Sequence, residues 1–230
     1  LAALFASGVD NCLIEVDGPE VPILDGSGIR FIEEIEKVGL EEQDHDKDFY
    51  IIKQKTQLHD PETGSTITIY PEENFSVETM VEYNSPVLPN QFAVLDDLAE
   101  FKEEVAGART FVFVREIEEL MKHGLIKGGD LDNAIVVVEN PVPDEQLEHL
   151  KKIFNKPDIE IKAGYLNNLE LRCNNELARH KLLDLLGDFA LLGVRIKGRV
   201  WATRPGHFAN TEFMKQLKHT IRKAGEKPRF

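Results

Sequence analysis

Two periodicities of apolar and polar residues alternate along the chain, and each predicts a different kind of element. Apolar residues three to four positions apart are typical of amphipathic helices, which we predict at residues 1–7, 29–38, 93–105, 115–123, 144–154, 180–188 and from about 208. Alternating or continuous β-branched runs predict strands at residues 11–16, 49–54, 65–70, 75–83, 133–138 and 194–202. The pattern therefore predicts an α+β protein.

Two segments of the chain resemble each other. The runs DNCLIEVDGPEVP (10–22) and DNAIVVVENPVP (132–143) both place Asp-Asn before an apolar strand, followed by an acidic residue and two prolines. Two short matches can arise by chance, but a duplicated unit explains them better. We expect a two-domain sandwich of sheet and helix layers related by internal duplication. Residues 1–46 would be the remnant of an incomplete first domain, residues 47–223 the second domain, and residues 224–230 a basic tail or linker.

Length and composition describe a globular chain without membrane or secretion signals. Its 230 residues are 42% apolar, which is enough to bury a core. No run reaches the roughly 18 apolar residues of a membrane span, and the apolar start lacks the basic flank of a signal peptide. Cys12 and Cys173 are too few for a disulfide framework, so we expect a cytoplasmic protein. A first residue of Leu1 rather than Met indicates a fragment of a longer chain.

The charge distribution argues against nucleic acid as a partner but allows an anionic small ligand. A net charge of −14 opposes binding to a phosphate backbone. Residues 195–230 nevertheless contain ten Lys or Arg against two acidic residues, a local charge of +8. This segment is either an ordinary basic surface or a place where an anion is held.

The sequence HKLLDLLGD (180–188) aligns a histidine and two aspartates along one predicted helix. At about 100° per residue, His180, Asp184 and Asp188 fall on one quarter of the circumference. An imidazole and a carboxylate four residues apart can bind one ion, and zinc accepts both groups. A catalytic zinc usually has three protein ligands, so the pair alone is incomplete. A solvated polar stripe explains the same spacing, and Asp188 is better placed to orient another group than to bind metal.

Two further residues are candidates for chemistry. His207 follows Pro-Gly just before the predicted final helix, where an imidazole is free to face a cleft and act as a general acid. The alternative is a histidine at a helix start with no chemical role. Thr110, in the extended ARTFVF run (108–113), has a hydroxyl that can donate to an oxyanion, although threonine in a strand is commonly just a strand former.

These motifs, taken in order, resemble the zinc-dependent UDP-3-O-acyl-N-acetylglucosamine deacetylases of bacterial lipid A synthesis. The matching stretches are LAALFASGVDNCLIEVDGPEVPILDGSG, YNSPVLPNQFA, ARTFVFVREIEELMKHGLIKGGDLDNAIVV, HKLLDLLGD and GHFAN. They run from residue 1 to about 213. The resemblance implies metal-assisted hydrolysis of an acetamide, with Zn²⁺ as cofactor and UDP-3-O-acyl-N-acetylglucosamine as substrate.

The resemblance also implies a role for each catalytic residue. Zinc is bound by His180 and Asp184. His207 acts as an acid or electrostatic stabiliser, and Asp188 is its partner. The hydroxyl of Thr110 supports the oxyanion that forms during hydrolysis.

The same resemblance implies how substrate is bound. Phe111 lies against the substrate, Lys181 and Arg204 touch the nucleotide diphosphate, and Tyr83 lies near the uridine. An apolar tunnel for the fatty acyl chain is lined by Ile117, Ile126 and Val136.

The chain departs from the family at its start. The family has a Glu-His pair just before the LAAL helix, in which the glutamate is the general base and the histidine the third zinc ligand. We therefore expect a polypeptide that begins at Leu1 to be inactive alone. The basic end HTIRKAGEKPRF (219–230) resembles the beginning of a linker to a fused dehydratase domain. Another zinc amidohydrolase and a non-catalytic binding module are the alternatives, which UDP competition and the upstream gene sequence would distinguish.

Overall fold

The structure of the chain is a computed structural model, and it describes residues 1–117 and 132–223. The helices within these residues are α1 (Ala2–Ala6), α2 (Ile29–Val38), α3 (Phe101–Glu104), α4 (Asp144–Phe154), α5 (Glu176–Phe189) and α6 (His207–Lys223). Short 3-10 helices lie at Leu98–Glu100 and Ala190–Leu192, and residues 114–117 are helical. The strands are β1 (Phe49–Ile51), β2 (Thr56–His59), β3 (Thr66–Tyr70), β4 (Phe75–Val81), β5 (Gln91–Leu95), β6 (Phe111–Phe113), β7 (Ile135–Val137), β8 (Ile161–Lys162), β9 (Tyr165–Leu166) and β10 (Arg195–Thr203).

The larger sheet is built around its longest strand, β10. This strand pairs antiparallel with β3 and parallel with β4, and the strand order is β2-β3-β10-β4-β5. Strand β1 pairs in parallel with the beginning of β10. Alternate residues of β10 are buried, so one face of the sheet packs on the core while the other carries the half-exposed Trp201.

Helices α5 and α6 cover the buried face of this sheet. Helix α5 contacts α1, β4, β5 and α6, and helix α6 also contacts β2 and β3. Leu182, Leu185 and Phe189 are fully buried because apolar residues three or four apart fall on the sides of α5 that meet the sheet and α6. The core therefore fixes α5, the helix of the HKLLDLLGD motif, between the sheet and α6.

The smaller sheet has the strand order β6-β7-β9-β8. It packs between α4 and the beginning of α5. Strands β6 and β7 are parallel, and β7 pairs antiparallel with β9. One set of its side chains, which includes Val136, packs with Leu150 of α4. The alternate set, which includes Ile135, packs with Leu177 of α5. Strand β7 is thus buried on both faces, as its continuous apolar run predicts, and Phe111 of β6 packs in the same cluster as Leu177, so β6 lies beside the motif helix.

A close backbone approach joins the first forty residues to this smaller sheet. Gly26 has a φ of +81°, and a side-chain carbon there would lie 1.9 Å from the carbonyl oxygen of Asn133. Both the conformation and the space admit only glycine. The Gly26 carbonyl accepts the backbone amide of Thr110 at 2.7 Å. This contact fixes the chain at Thr110, immediately before β6.

Two of the predicted elements are wrong. Residues 11–16, predicted as a strand, belong to no strand, and Leu13 is 84% exposed. None of the described strands pairs with this segment, and a lone strand has no partner for its backbone groups. The helix predicted at 93–105 is replaced by β5, a 3-10 turn and the short α3, because residues 91–95 pair in register with β4 and alternate between buried and exposed positions.

The predicted α+β class is confirmed by the two sheets and their helices. Of the two similar segments only 132–143 contains a strand, so the duplication and the domain boundaries stay predictions. Most of the helix predicted at 115–123 lies outside the described residues. In the parts of the chain that the structure describes, no helix has both the length and the apolar character needed to cross a membrane.

Candidate active site

The polar line of helix α5 faces the interior of the protein. His180 is 7% exposed and Asp188 is 9% exposed, and the Asp184 side chain is nearly buried as well. The alternative of a solvated stripe is therefore wrong. Buried polar and charged groups require partners, and the partners of these three residues define the site.

His180 is held as a neutral imidazole with one ring nitrogen available as an acceptor. Its Nδ1 lies 3.0 Å from the carbonyl oxygen of Ala108, which can only accept, so Nδ1 carries the proton. Nε2 then presents a lone pair, 3.4 Å from Oδ1 of Asp184. Burial lowers the pKa of His180, although the charge of Asp184 and the bond to Ala108 oppose this effect. A neutral imidazole oriented through its other nitrogen is the usual form of a metal-binding histidine.

Asp184 places an ionised carboxylate beside that nitrogen. Burial alone would raise the pKa of Asp184, but its interactions with His180 and with the charged Lys181, the hydrogen bond from Lys181 and the nearby His207 together lower it. Oδ2 accepts a hydrogen bond from Lys181 Nζ at 2.8 Å, while Oδ1 faces His180. One carboxylate oxygen and one imidazole nitrogen are therefore presented side by side.

His207 is the first residue of α6, and its side chain lies beside Asp184 and Asp188. Its Nδ1 lies 2.9 Å from Oδ2 of Asp188, and its Nε2 lies 3.9 Å from Oδ1 of Asp184. The hydrogen bond to Asp188 raises the pKa of His207; burial opposes this, and the charge of Asp184 adds to it. Asn210 Nδ2 donates to the same Asp188 oxygen at 2.8 Å. His207 is therefore not a partnerless helix-start residue, and its protonated form is favoured.

Replacement of Asp188 by asparagine is expected to lower the pKa of His207, because the charged acceptor of the Nδ1 proton is removed. NMR titration of the metal-free protein should give a His207 midpoint above 6.5 in the wild type and a lower one in the variant. Since folding raises this pKa, the pair stabilises the fold below the unfolded pKa and loses that contribution as pH rises through the folded value. The cost of Asp188→Asn in free energy of unfolding should thus be larger at about pH 6 than at about pH 9. Equal titration midpoints in the two proteins would contradict the assignment of Asp188 as the group that raises the pKa of His207.

Residues 108–111 run along the other side of His180. The Phe111 ring packs edge-on against the imidazole, with 6.2 Å between ring centroids. Lys181 Nζ lies 5.0 Å from the centre of the same Phe111 ring, a cation–π contact. Thr110 immediately precedes Phe111. The structure thus brings Phe111, Lys181 and the backbone of Thr110 to the candidate metal ligands.

Two residues that are predicted to contact the nucleotide, Tyr83 and Arg204, interact with other side chains of the protein. Tyr83 packs edge-on against Phe113, and its buried hydroxyl has no hydrogen-bond partner in the described part of the chain. Burial raises the pKa of Tyr83. Arg204 follows β10 with a φ of +51° and forms an ion pair with Glu82 at 2.9 Å. The contacts of both residues with a nucleotide stay predictions.

The predicted tunnel residues fall in and beyond the smaller sheet. Ile117 and Val136 are fully buried in one apolar cluster with Leu150 and Leu166. Ile126 lies outside the described residues. A role of these side chains in holding an acyl chain stays a prediction.

Sequence reasoning misses the polar residues that support the site. Asn210 lies three residues after His207, and Glu176 lies four residues before His180, so helical spacing alone places each beside a site residue. That spacing is the signal that could have revealed them. The sequence gives no comparable signal for Arg109, because being next to Thr110 does not by itself indicate a contact with the site.

A complete set of metal ligands is not present among the described residues. Within residues 1–117 and 132–223, no three His, Cys, Asp or Glu side chains are grouped so that they could hold one ion. His180 and Asp184 form a pair of candidate ligands, with His180 Nε2 and Asp184 Oδ1 lying 3.4 Å apart.

The fold and the site together describe an α+β protein in which a buried imidazole and a carboxylate are presented side by side, with a second histidine nearby. The sequence model of the UDP-3-O-acyl N-acetylglycosamine deacetylase family matches residues 1–152 and 159–219, and the chain belongs to this family. The resemblance predicted from the motifs is thereby confirmed.

Relatives of known name agree with the family assignment. The bifunctional enzyme LpxC/FabZ of Bacteroides thetaiotaomicron is 55% identical over 223 residues, which are 96% of this chain and 48% of the relative. The protein of the same name from Porphyromonas gingivalis is 48% identical over 96% of this chain and 48% of its own length. The UDP-3-O-acyl-N-acetylglucosamine deacetylase of Geotalea uraniireducens is 34% identical over 94% of this chain and 63% of its own length. The chain spans about half the length of the two bifunctional relatives.

Proposed function

We propose that the chain contributes His180, Asp184 and His207 to a zinc-dependent active site that removes the N-acetyl group of UDP-3-O-acyl-N-acetylglucosamine in lipid A synthesis. The observation that carries this proposal is the buried imidazole of His180, protonated on Nδ1, whose Nε2 faces the carboxylate of Asp184. Family membership supports the substrate class, since the relative from Geotalea uraniireducens bears the name of this substrate.

The two donors fit zinc. Zinc accepts imidazole nitrogen and carboxylate oxygen, and it requires a neutral histidine and an ionised aspartate. Burial keeps His180 neutral, and the positive charges around Asp184 keep the carboxylate ionised. When bound, zinc supplies Lewis-acid activation of water and of the amide carbonyl.

His207 supplies the proton that amide hydrolysis needs. The nitrogen that leaves an amide must be protonated, and a positioned imidazolium is a suitable donor. The bond to Asp188 favours the protonated ring, and Asn210 holds that carboxylate in place. The His207 side chain is 67% exposed, so its Nε2 is accessible to a substrate.

The segment 108–111 completes the polar surroundings of the reacting carbonyl. A preorganised hydroxyl or amide donor stabilises the charge that develops on the carbonyl oxygen, and Thr110 lies next to the ring that contacts His180. Lys181 brings a positive charge to the same place. We assign Thr110 to the oxyanion and Phe111 with Lys181 to the substrate.

The remaining parts of the substrate are matched by chemistry elsewhere in the chain. Each CH₂ of an acyl chain contributes about 0.8 kcal/mol when buried, which suits the apolar side chains of the smaller sheet such as Val136. The basic segment 195–230, which contains Arg204, suits a diphosphate. The bifunctional names of two relatives support the further proposal that a fused dehydratase domain follows in the full-length gene product.

A polypeptide of residues 1–230 alone is expected to bind zinc weakly and to release no measurable acetate. Catalytic zinc sites normally have three protein ligands, and within residues 1–117 and 132–223 the pair described above supplies two. Metal content after dialysis against buffered zinc and an assay of acetate release measure both quantities. Tight binding of one zinc per chain together with robust turnover would show this expectation to be wrong.

The proposed function is tested by incubating the full-length gene product with UDP-3-O-acyl-N-acetylglucosamine and following acetate release. We expect turnover that a chelator abolishes, that added zinc restores and that UDP inhibits. Turnover of other acetamides without inhibition by UDP would instead indicate a different amidohydrolase. Binding of the UDP-sugar without any acetate release would indicate a non-catalytic binding module.

A further inference from the structure

A buried ion pair lies directly behind the site and takes no part in the chemistry described so far. Glu176 is fully buried and Arg109 is 5% exposed. Oε1 of Glu176 accepts the Arg109 backbone amide at 3.1 Å and the guanidinium Nε at 2.8 Å. Oε2 accepts Nη2 of Arg109 at 3.2 Å and the Arg172 backbone amide at 2.7 Å. Both charges are thus paired and both carboxylate oxygens are fully used.

Each member of this pair is coupled to a residue of the proposed site. Arg109 immediately precedes Thr110, and Glu176 lies one helical turn before His180 on α5. The Ala108 carbonyl accepts the Nδ1 proton of His180 one turn further along the same helix. Two connections, one turn apart, therefore hold residues 108–110 against α5.

Stability alone does not explain why a full charge pair is buried here. Burying two charges is costly, and apolar residues of similar volume in such places are often equally or more stabilising. Directed hydrogen bonds, unlike apolar contacts, fix the position of one backbone segment along another. Because an error of about 1 Å in the position of a reacting group can lower a rate by roughly 100-fold, such fixing is useful beside a catalytic residue.

We propose that Glu176 and Arg109 are positioning residues, which set the placement of Thr110 relative to His180. This inference rests on the proposed function, because Thr110 and His180 have their catalytic roles only there. Glu176 acts through the Arg109 backbone amide and guanidinium rather than by touching substrate.

The test compares three variants in the full-length, zinc-loaded gene product: Glu176→Gln, Glu176→Asp and the apolar double variant Arg109→Met/Glu176→Leu. The matched control is Glu104→Gln, which removes the charge of an ion pair between α3 and Arg179 of α5, at the protein surface. For the Glu176 variants we expect kcat to fall by up to roughly 100-fold, the loss that a displacement of about 1 Å of a reacting group causes. KM and zinc content should stay within about twofold, with Glu176→Asp affected least, and the control should match the wild type.

The double variant separates positioning from folding. We expect it to fold with a lower stability than the wild type, because the backbone amides of Arg109 and Arg172 lose their acceptor, and to show the reduced kcat per folded molecule. An unchanged kcat in a folded double variant would overturn the inference. If the double variant does not fold, Glu176→Gln decides: a kcat that falls only in proportion to the folded fraction would overturn the inference as well.

A measurement without catalysis distinguishes failure of this inference from failure of the proposed function. In NMR spectra, Glu176→Gln should shift the Thr110 amide and the His180 Nδ1–H resonances, whereas Glu104→Gln should leave both unchanged. Unmoved resonances would overturn the positioning role even in an active enzyme. If the wild type does not deacetylate the substrate, the proposed function fails and the catalytic part of this inference fails with it.

Discussion

Replacement of His207 by glutamine in the full-length gene product is expected to lower kcat roughly 10²–10⁴-fold, the usual contribution of a positioned general acid. Glutamine retains an amide that can bond to Asp188, but it cannot hold a transferable proton at neutral pH. KM should change much less, because His207 is assigned to the proton transfer and not to binding of the UDP-sugar. Steady-state kinetics with UDP-3-O-acyl-N-acetylglucosamine measure both constants.

The control for this change is His219→Gln on the same helix. His219 is exposed and belongs to none of the groups around Asp184, so kcat should be unchanged. The fold should survive His207→Gln as well, because the His207 side chain is two-thirds exposed. A His207→Gln enzyme with at least half of the wild-type kcat would remove His207 from the mechanism.

Replacement of Phe189 by alanine is expected to lower the free energy of unfolding by about 3–5 kcal/mol, the usual cost of deleting a buried phenylalanine side chain. Phe189 is fully buried at the end of α5. Its ring makes edge contacts with Phe75 of β4 at 5.5 Å and with Phe213 of α6 at 6.4 Å. One side chain therefore links the sheet to the two helices that carry the site. Urea denaturation followed by circular dichroism measures the loss.

Phe208→Ala provides the comparison, since it removes the same group from an exposed position of α6. Its effect should stay within about 0.5 kcal/mol. If Phe189→Ala costs less than about 1 kcal/mol, the described packing of α5 against β4 and α6 is wrong.

Local sequence patterns identify helices α2, α4, α5 and α6 correctly because each has apolar residues at helical spacing over ten or more positions. They fail at residues 93–105, where the apolar spacing fits a helix but pairing with β4 decides the structure. They also fail at residues 11–16, whose strand-like composition is not matched by a neighbouring strand in the described part of the chain. In both cases the presence or absence of a pairing strand determines the outcome.

Prediction of the candidate site from local sequence is limited in the same way. Spacing alone places His180, Asp184 and Asp188 on one line, but it cannot say whether that line faces solvent or the core. The answer depends on α6, which brings His207, and on the chain before β6, which brings Ala108. Neither contact can be derived from residues 180–188. The motif resemblance supplies this information because it summarises the folded arrangement of a whole family.

The central claim is that His180 and Asp184 bind the same zinc ion. The most direct test is a zinc-competition titration of the full-length gene product as wild type, His180→Gln and His219→Gln. We predict one zinc per chain in the wild type, equal affinity in His219→Gln, and an affinity in His180→Gln reduced by more than the roughly 10- to 100-fold that changes outside the ligand set cause. Undiminished zinc affinity in His180→Gln would contradict the account.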